Sequence, residues 1–292
     1  MTPQSAPPET EESAPNSAPH IPGGRSVDQG VVFDRKPLAQ RFNAWRKRSA
    51  FNPYWIEMRL LQEAVKKLAP SASGTLLDVG VAERPYEAHF APYVNRYLGL
   101  EYPVVVNNLN PEIWKHLDRV QGIVDVWGDG NRLPFTDESV DTVLSVEVLE
   151  HVPDPDRMVA EFARVLRPEG RALVTVPFAS ALHQLPFDYY RYTPNGIRAL
   201  FERHGLVVET VEARGNMADA IGALTANWLL RMVAARARHH DGSASLSRWK
   251  APIALPLIAF VQLLASWIGK ISDDRTLAVG HIAIARKPSP RV

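Results

Sequence analysis

Strands alternating with helices from Thr75 to Val176 predict a doubly wound α/β fold, a mostly parallel sheet with helices on both faces. Two observations carry this. β-rich apolar runs recur at Thr75–Val79, Arg96–Glu101, Ile123–Trp127, Ser139–Glu147 and Arg171–Val176, with helical patterns or turn residues between them. The first run ends in Asp78-Val79-Gly80 and passes directly into a helix-compatible run from Tyr86. A strand that stops at glycine before a helix presents backbone N–H groups to a ligand. In an open α/β sheet the crevice at the carboxyl ends of the strands is where ligands bind. Val81, Ala82, Glu83 and Arg84 follow Gly80, so the dinucleotide fingerprint Gly-x-Gly-x-x-Gly is absent, and the turn alone reads equally as an ordinary tight connection.

The totals narrow the classes. The 292 residues allow one large domain plus an appendage, and 46% hydrophobic with 22% charged residues is an ordinary globular balance. A net charge of +1 offers no argument for nucleic acid as a partner. The absence of cysteine excludes disulfides, thiol catalysis and Cys-ligated metal, and no metal site is expected from the spacing of the other residues. It also suits a cytoplasmic location, as does an N-terminus without the apolar run of a secretory signal.

Residues 1–30, rich in Pro, Ser, Ala, Glu and Gly, read as a disordered tail. Residues 31–71 form a basic, aromatic and helical segment, including Arg41, Phe42, Trp45, Arg46, Lys47 and Arg48. Within it Asn52-Pro53 reads as an N-cap and first helical residue, and Pro70 as the stop of a helix from Tyr54 to Leu68. After Gly80 a short helix is expected near Tyr86–Val94. Glu101 ends the next strand roughly twenty residues beyond the turn, where nucleotide-binding folds place a ribose-binding carboxylate. A helix-like run Glu112–Val120 precedes the third strand, and Asp129 then stands between two glycines, Gly128 and Gly130, that permit close approach to the backbone. A helix Asp156–Leu166 and a sharp turn Arg167–Gly170 precede the fifth strand.

The series Leu76-Leu-Asp-Val-Gly80, Leu98-Gly-Leu-Glu101, Gly128-Asp-Gly130, Val140-Asp-Thr-Val-Leu-Ser145, Leu149-Glu-His-Val152 and Leu166-Arg-Pro-Glu-Gly-Arg-Ala-Leu173 resembles the class I S-adenosylmethionine-dependent methyltransferases, most of all the group that includes ubiquinone and menaquinone biosynthesis enzymes. The resemblance covers about residues 72–215 and the final strand, and delimits a domain over 72–292. It implies a Rossmann-like, seven-stranded sheet with an antiparallel last strand and a helical insertion before it, here 216–272. It also implies S-adenosyl-L-methionine as cofactor. Asp78, Gly80 and Ala82 would lie at its methionine and ribose part, Glu101 at the ribose hydroxyls, Asp129 and Gly130 at the adenine, and Ser145 and Val146 at the methionine end. The family's Gly-x-Gly-x-Gly is altered to Ala82 and Arg84, and Arg84 either meets the cofactor carboxylate or points away.

Methyl transfer needs placement of a nucleophile more than a dedicated acid or base, although a hydroxyl acceptor gains from a base. His151 and His183 are the candidate bases, His151 equally readable as a helix-capping or packing residue. The stretch His183 to Pro194 holds Asp188, Tyr189, Tyr190 and Arg191 as candidate acceptor-binding groups, with Thr193 and Pro194 capping the next helix. The acceptor implied is a polar small molecule or a glycan, with lipid linkage as one form of it. A non-catalytic cofactor-binding or glycan-assembly accessory protein on the same fold is the alternative; a nicotinamide-dependent reductase is disfavoured by the missing fingerprint and by Asp129. Strand Val207–Ala213 pairs with Leu277–Arg286, and about sixty residues intervene, comprising a helix Met217–Arg238 with a basic end and an uncharged run Ala251–Gly269. That run would reach about 28 Å as a helix. A membrane-surface contact at the inner face, a soluble lid and a dimer surface are its alternative readings; a spanning helix is disfavoured, because it would put the two halves of one sheet on opposite membrane faces.

Overall fold

The computed structural model describes residues 49–103, 122–233 and 251–290. The tail 1–30, most of the basic segment before Ser49, the helix expected at 112–120 and the basic end of the helix from Met217 lie outside these residues.

Seven strands form one sheet: β1 (Thr75–Val79), β2 (Arg96–Glu101), β3 (Val126–Trp127), β4 (Val140–Val146), β5 (Leu166–Pro177), β6 (Val207–Arg214) and β7 (Gly280–Arg286), in the order β3-β2-β1-β4-β5-β7-β6. All neighbours are parallel except β7, which runs antiparallel to both β5 and β6. The described helices are α1 (Trp55–Leu68), α2 (Glu87–Phe90), α3 (Pro155–Val165), α4 (Pro194–Arg203), α5 (Met217–Val233) and α6 (Ala251–Ile271). The doubly wound sheet with its antiparallel strand is as the sequence predicts.

Both faces of the central strands are buried, so successive residues serve different cores. Leu77, Val143 and Val174 pack with Met158, Phe162 and Phe201 of α3 and α4. Their neighbours Leu76, Leu144 and Leu173 pack with Val65 and Leu68 of α1 on the opposite face. Helix ends follow local chemistry. The Thr193 side chain accepts from Gly196 N at 3.1 Å with Pro194 at the first helical position, as expected. Asp154 caps α3 by accepting from Arg157 N at 3.1 Å.

Three local expectations are corrected. The first helix begins at Trp55, because Asn52 Oδ1 accepts from Tyr54 N at 3.1 Å in a turn that precedes the helix. The helix after Gly80 is confined to Glu87–Phe90. Residues Arg167–Gly170 do not separate two elements but bulge within β5, since Val140 pairs with Leu166 and Thr142 with Arg171, with Glu169 at φ 66°.

The insertion is packed onto the body. Gly222 of α5 faces Ala265 of α6 so closely that a Cβ would stand 2.3 Å from the alanine methyl. The fully buried Gln262 of α6 accepts from Ile56 N at 3.1 Å and donates to the carbonyls of Ala50 and Asn52 at 2.9 and 2.8 Å. Leucine at 262 would remove the partner of the Ile56 N–H and of the Ala50 carbonyl, while Asn52 O still accepts from Trp55 N at 3.0 Å. We expect Gln262→Leu to lose about 2–4 kcal/mol in denaturant unfolding, and an unchanged midpoint would show that this contact contributes nothing.

Candidate active site

The carboxyl ends of the neighbouring strands β1, β2, β3 and β4 lie along one rim. At the end of β1 the N–H groups of Gly80 and Val81 both donate to Leu100 O of β2, at 2.9 and 3.1 Å. Gly80 is required here: φ is 83°, and a Cβ would stand 2.6 Å from Val148 Cγ2. Ala82 N donates to Glu101 Oε2 at 2.8 Å, joining the turn to the strand-end carboxylate. Ala82 and Arg84 lie at φ 47° and 53°, so both keep a left-handed backbone without glycine.

Arg84 is engaged by the scaffold. Its Nε donates to Ile123 O at 2.6 Å, its guanidinium pairs with Glu87 at 3.1 Å and with Asp125, and it lies 5.7 Å from the Tyr97 ring centre. Asp125 in turn accepts from Gly99 N at 2.7 Å. Of the two alternatives for Arg84, these contacts favour the scaffold role.

Asp78 is buried within β1 and accepts from Tyr97 Oη at 2.5 Å. Burial pushes its carboxyl up to about 7, against the Tyr97 hydrogen bond that lowers it. Asp129 lies in an exposed turn, where its Oδ1 accepts from Asn131 N at 2.8 Å. Gly130 sits under Met158, whose Cε would be 3.1 Å from an added Cβ. Ser145 is fully buried in β4 with its hydroxyl unpartnered, and Val146 closes that strand.

The two candidate histidines, 32 positions apart, are brought together because they follow the adjacent parallel strands β4 and β5. Their rings meet edge to face with centres 4.8 Å apart. His151 Nδ1 bonds Phe187 O at 2.6 Å, and burial lowers the His151 pKa. Asp188 and Arg191 turn toward each other instead of outward, in a bidentate pair at 2.6 and 2.8 Å. Burial raises the Asp188 carboxyl, but the Arg191 pair and His183 N–H outweigh it and hold the pKa at about 2. This pair shapes the loop, leaving the exposed Tyr189 and Tyr190 as its outward groups, with Tyr190 Oη donating to Pro153 O at 3.0 Å.

Sequence reasoning gave no role to Glu147 and Glu150. Glu147 turns out of β4 at φ 55°, accepting from Thr175 Oγ1 at 2.9 Å and Arg214 at 3.1 Å. Glu150 is fully buried, and burial followed by the nearby Glu147 charge pushes its pKa well up. Carboxylates at the end of an apolar strand were the available signal. Glu147 also lines a cavity of about 320 Å³ with Tyr54, Glu57, Leu182, His183 and Arg231, where burial pushes Glu57 up to about 7. A second cavity of about 320 Å³ lies off this rim, between α1 and the end of β6.

The rim fits the cofactor that the resemblance implies. Glu101 and Asp129 stand at the ends of neighbouring strands, and beside them Asn131 Oδ1 is buried without a hydrogen-bond partner. Two outcomes test this. Asp78 has a folded pKa above its ordinary 3.8, so the folded chain holds a proton that the unfolded chain releases, and stability falls as pH rises from about 4 to 7. Glu57 and Glu150 act in the same sense, so Asp78→Asn should show a shallower, not absent, fall in melting temperature across that range; parallel curves would contradict a protonated Asp78. Arg84→Gly should lower stability while leaving S-adenosylmethionine affinity within a few-fold by calorimetry, whereas a collapse of binding would make Arg84 a cofactor ligand.

A methyltransferase domain model matches residues 77–174. An "uncharacterized methyltransferase" of Mycobacterium avium strain 104 is 35% identical over 142 residues, 46% of this chain and 53% of that protein. Another, of Mycobacterium ulcerans strain Agy99, is 31% identical over 185 residues, 59% of this chain and 68% of the relative. The chain thus spans about half the length of the first of these. A chain from the Haloferax volcanii complex between the Trm112 methyltransferase activator and a methyltransferase shares the fold at TM-score 0.51 and 18% identity, covering 88% of this chain and all of that one. By family match, relatives and strand order together, the chain belongs to the class I S-adenosylmethionine-dependent methyltransferases.

Proposed function

We propose that the chain transfers a methyl group from S-adenosylmethionine to a polar acceptor carried on a lipid, working at the inner membrane surface from the cytoplasmic side. The observation that carries the acceptor class is the inverted packing of the α5–α6 hairpin. Most of its inward positions are small, among them Ala220, Ala223, Ala226, Ala254 and Ala265, with Leu230 and Ile258 the large apolar exceptions. Its outward positions are large: Trp228 is 58% exposed, Phe260 and Trp267 are each 61%, and Ile253 is 80%. Water favours the reverse arrangement, whereas an apolar face with tryptophans suits the acyl–headgroup boundary. Residues 234–250, between the two helices, carry Arg236, Arg238, Arg248 and Lys250 against the single acid Asp241, which complements anionic lipid.

Ala251–Ile271 is long and apolar enough to cross a membrane, with a mean hydropathy of 1.9. Gln262 at mid-helix, bonded to the body's backbone, favours a helix lying on the surface. The same hairpin walls the cavity beside the rim, for Asn227 and Arg231 of α5 line it and Arg231 donates to Leu182 O at 3.3 Å. An acceptor head group entering there would meet Glu147, Glu57 and His183 while its lipid stayed against α5 and α6.

The cofactor, held by Glu101, Asp129 and the Gly80 turn, supplies an already activated methyl group. The chain's own task is then to orient the acceptor and to remove its proton where it is a hydroxyl. His151 is suited to that: a buried imidazole with a lowered pKa is neutral at pH 7 and can accept a proton. The protein should transfer labelled methyl from S-adenosylmethionine into a lipid-extractable fraction of cell extract. It should float with anionic vesicles, and Phe260→Glu with Trp267→Glu should cut flotation at least about tenfold. Label appearing only in water-soluble products would sink the lipid-linked reading. Equal flotation, or a dimer that the substitutions dissociate, would reassign the apolar face.

A further inference from the structure

Glu150, His151 and His183 form an arrangement that methyl transfer by placement alone does not explain. The first two follow β4 in a short 3-10 turn, the third follows β5, and one nitrogen or oxygen from each lies within 4.8 Å of the others. Glu150 Oε1 stands 3.6 Å from His151 Nε2.

Hydrogen bonding sets the proton positions. A backbone carbonyl only accepts, so the 2.6 Å contact with Phe187 O places a proton on His151 Nδ1, leaving a lone pair on Nε2 in the neutral ring. His183 Nδ1 makes the same kind of contact with Ala181 O at 3.2 Å, so its Nε2 also carries a lone pair. Glu150 is fully buried, and neither of its oxygens nor His151 Nε2 has a hydrogen-bond partner. With Glu150 ionised, acceptor atoms face acceptor atoms, which is costly in a dry site, so the cluster calls for a positive charge between them, either a proton or a bound cation. The neighbouring cations are committed elsewhere, Arg191 to Asp188 and Arg214 to Glu147.

We propose that Glu150, His151 and His183 bind a divalent transition-metal ion. Two imidazoles and one carboxylate suit zinc, manganese, iron or cobalt in place of magnesium or calcium, which take oxygen donors. Ligand atoms about 2.1 Å from one ion lie roughly 3–4 Å apart, so the Glu150–His151 spacing fits as it stands. The ligand atom of the half-buried His183 lies within 4.8 Å of the other two, so the site would contract there on binding. The Nδ1–carbonyl bonds are the outer contacts that orient metal-binding histidines. Three protein ligands leave a coordination position for an acceptor oxygen, where the ion would lower the pKa of a hydroxyl and so replace His151 as the activating group, its Nε2 then being a ligand and not a base. This use rests on the methyltransferase reading, but binding of the ion does not.

The test uses the full, tag-free chain dialysed against a chelator and then titrated with cobalt(II), read by its visible ligand-field bands and by calorimetry. One equivalent should bind, zinc should displace it, and millimolar magnesium should not. Glu150→Gln, which preserves shape, and His183→Ala, at a half-buried position, should each weaken binding at least about tenfold with circular dichroism unchanged. Replacing His239 and His240, the other adjacent histidine pair, should have no effect. Absence of stoichiometric binding would overturn the site and leave a proton as the charge between Glu150 and His151. Binding retained in both Glu150→Gln and His183→Ala would overturn it as well, placing the ion elsewhere. S-adenosylmethionine calorimetry on the metal-free chain reads the methyltransferase assignment separately.

Discussion

The candidate site depends on the convergence of two backbone N–H groups, those of Gly80 and Val81, on the single carbonyl of Leu100. That contact bends the end of β1 over β2 and brings Ala82 N onto Glu101. The bend is possible because Gly80 alone fits at φ 83° beneath Val148. Val148 belongs to the segment leaving β4, so the first and fourth strand ends are packed against one another. The ends of β1 and β4 are therefore held by one set of contacts.

The altered glycine loop shows how conformation can survive a change of residue. Left-handed backbone at Ala82 and Arg84 costs roughly 1 kcal/mol or more each where glycine would adopt it freely. The contacts that hold it are visible: Glu101 takes the Ala82 N–H, and Arg84 is tied to Ile123 O, Glu87 and Asp125. The guanidinium thus helps join the β1 turn to the segment before β3.

The side proposed for the acceptor is built differently. Its loop after β5 is closed by the Asp188–Arg191 pair and tied to the turn after β4 through Phe187 O and Glu150 O. Asp188 is held charged there by pairing with Arg191, whereas the buried Glu150 carboxyl has no hydrogen-bond partner and its pKa is pushed up. The α5–α6 hairpin extends this side outward, with alanines in and aromatics out, so one element both walls the cavity and presents an apolar surface.

The order of elements, the two-faced burial of the central strands and the caps at Thr193 and Pro194 were legible in the sequence, because each follows from local periodicity and backbone chemistry. So were the strand-end positions of Gly80, Glu101 and Asp129, since distance along an α/β chain maps onto neighbouring strand ends. Other features depend on residues far apart in sequence: the bulge at Arg167–Gly170, the turning of Asp188 onto Arg191, and the anchoring of Arg84. The meeting of Glu150 and His151 with His183 is of the same kind. By itself the sequence determined the fold, the family's cofactor and an uncharged run in the insertion. Only the tertiary structure decided which face of that run is exposed and which carboxylates are left without partners, because both depend on what packs against each side chain.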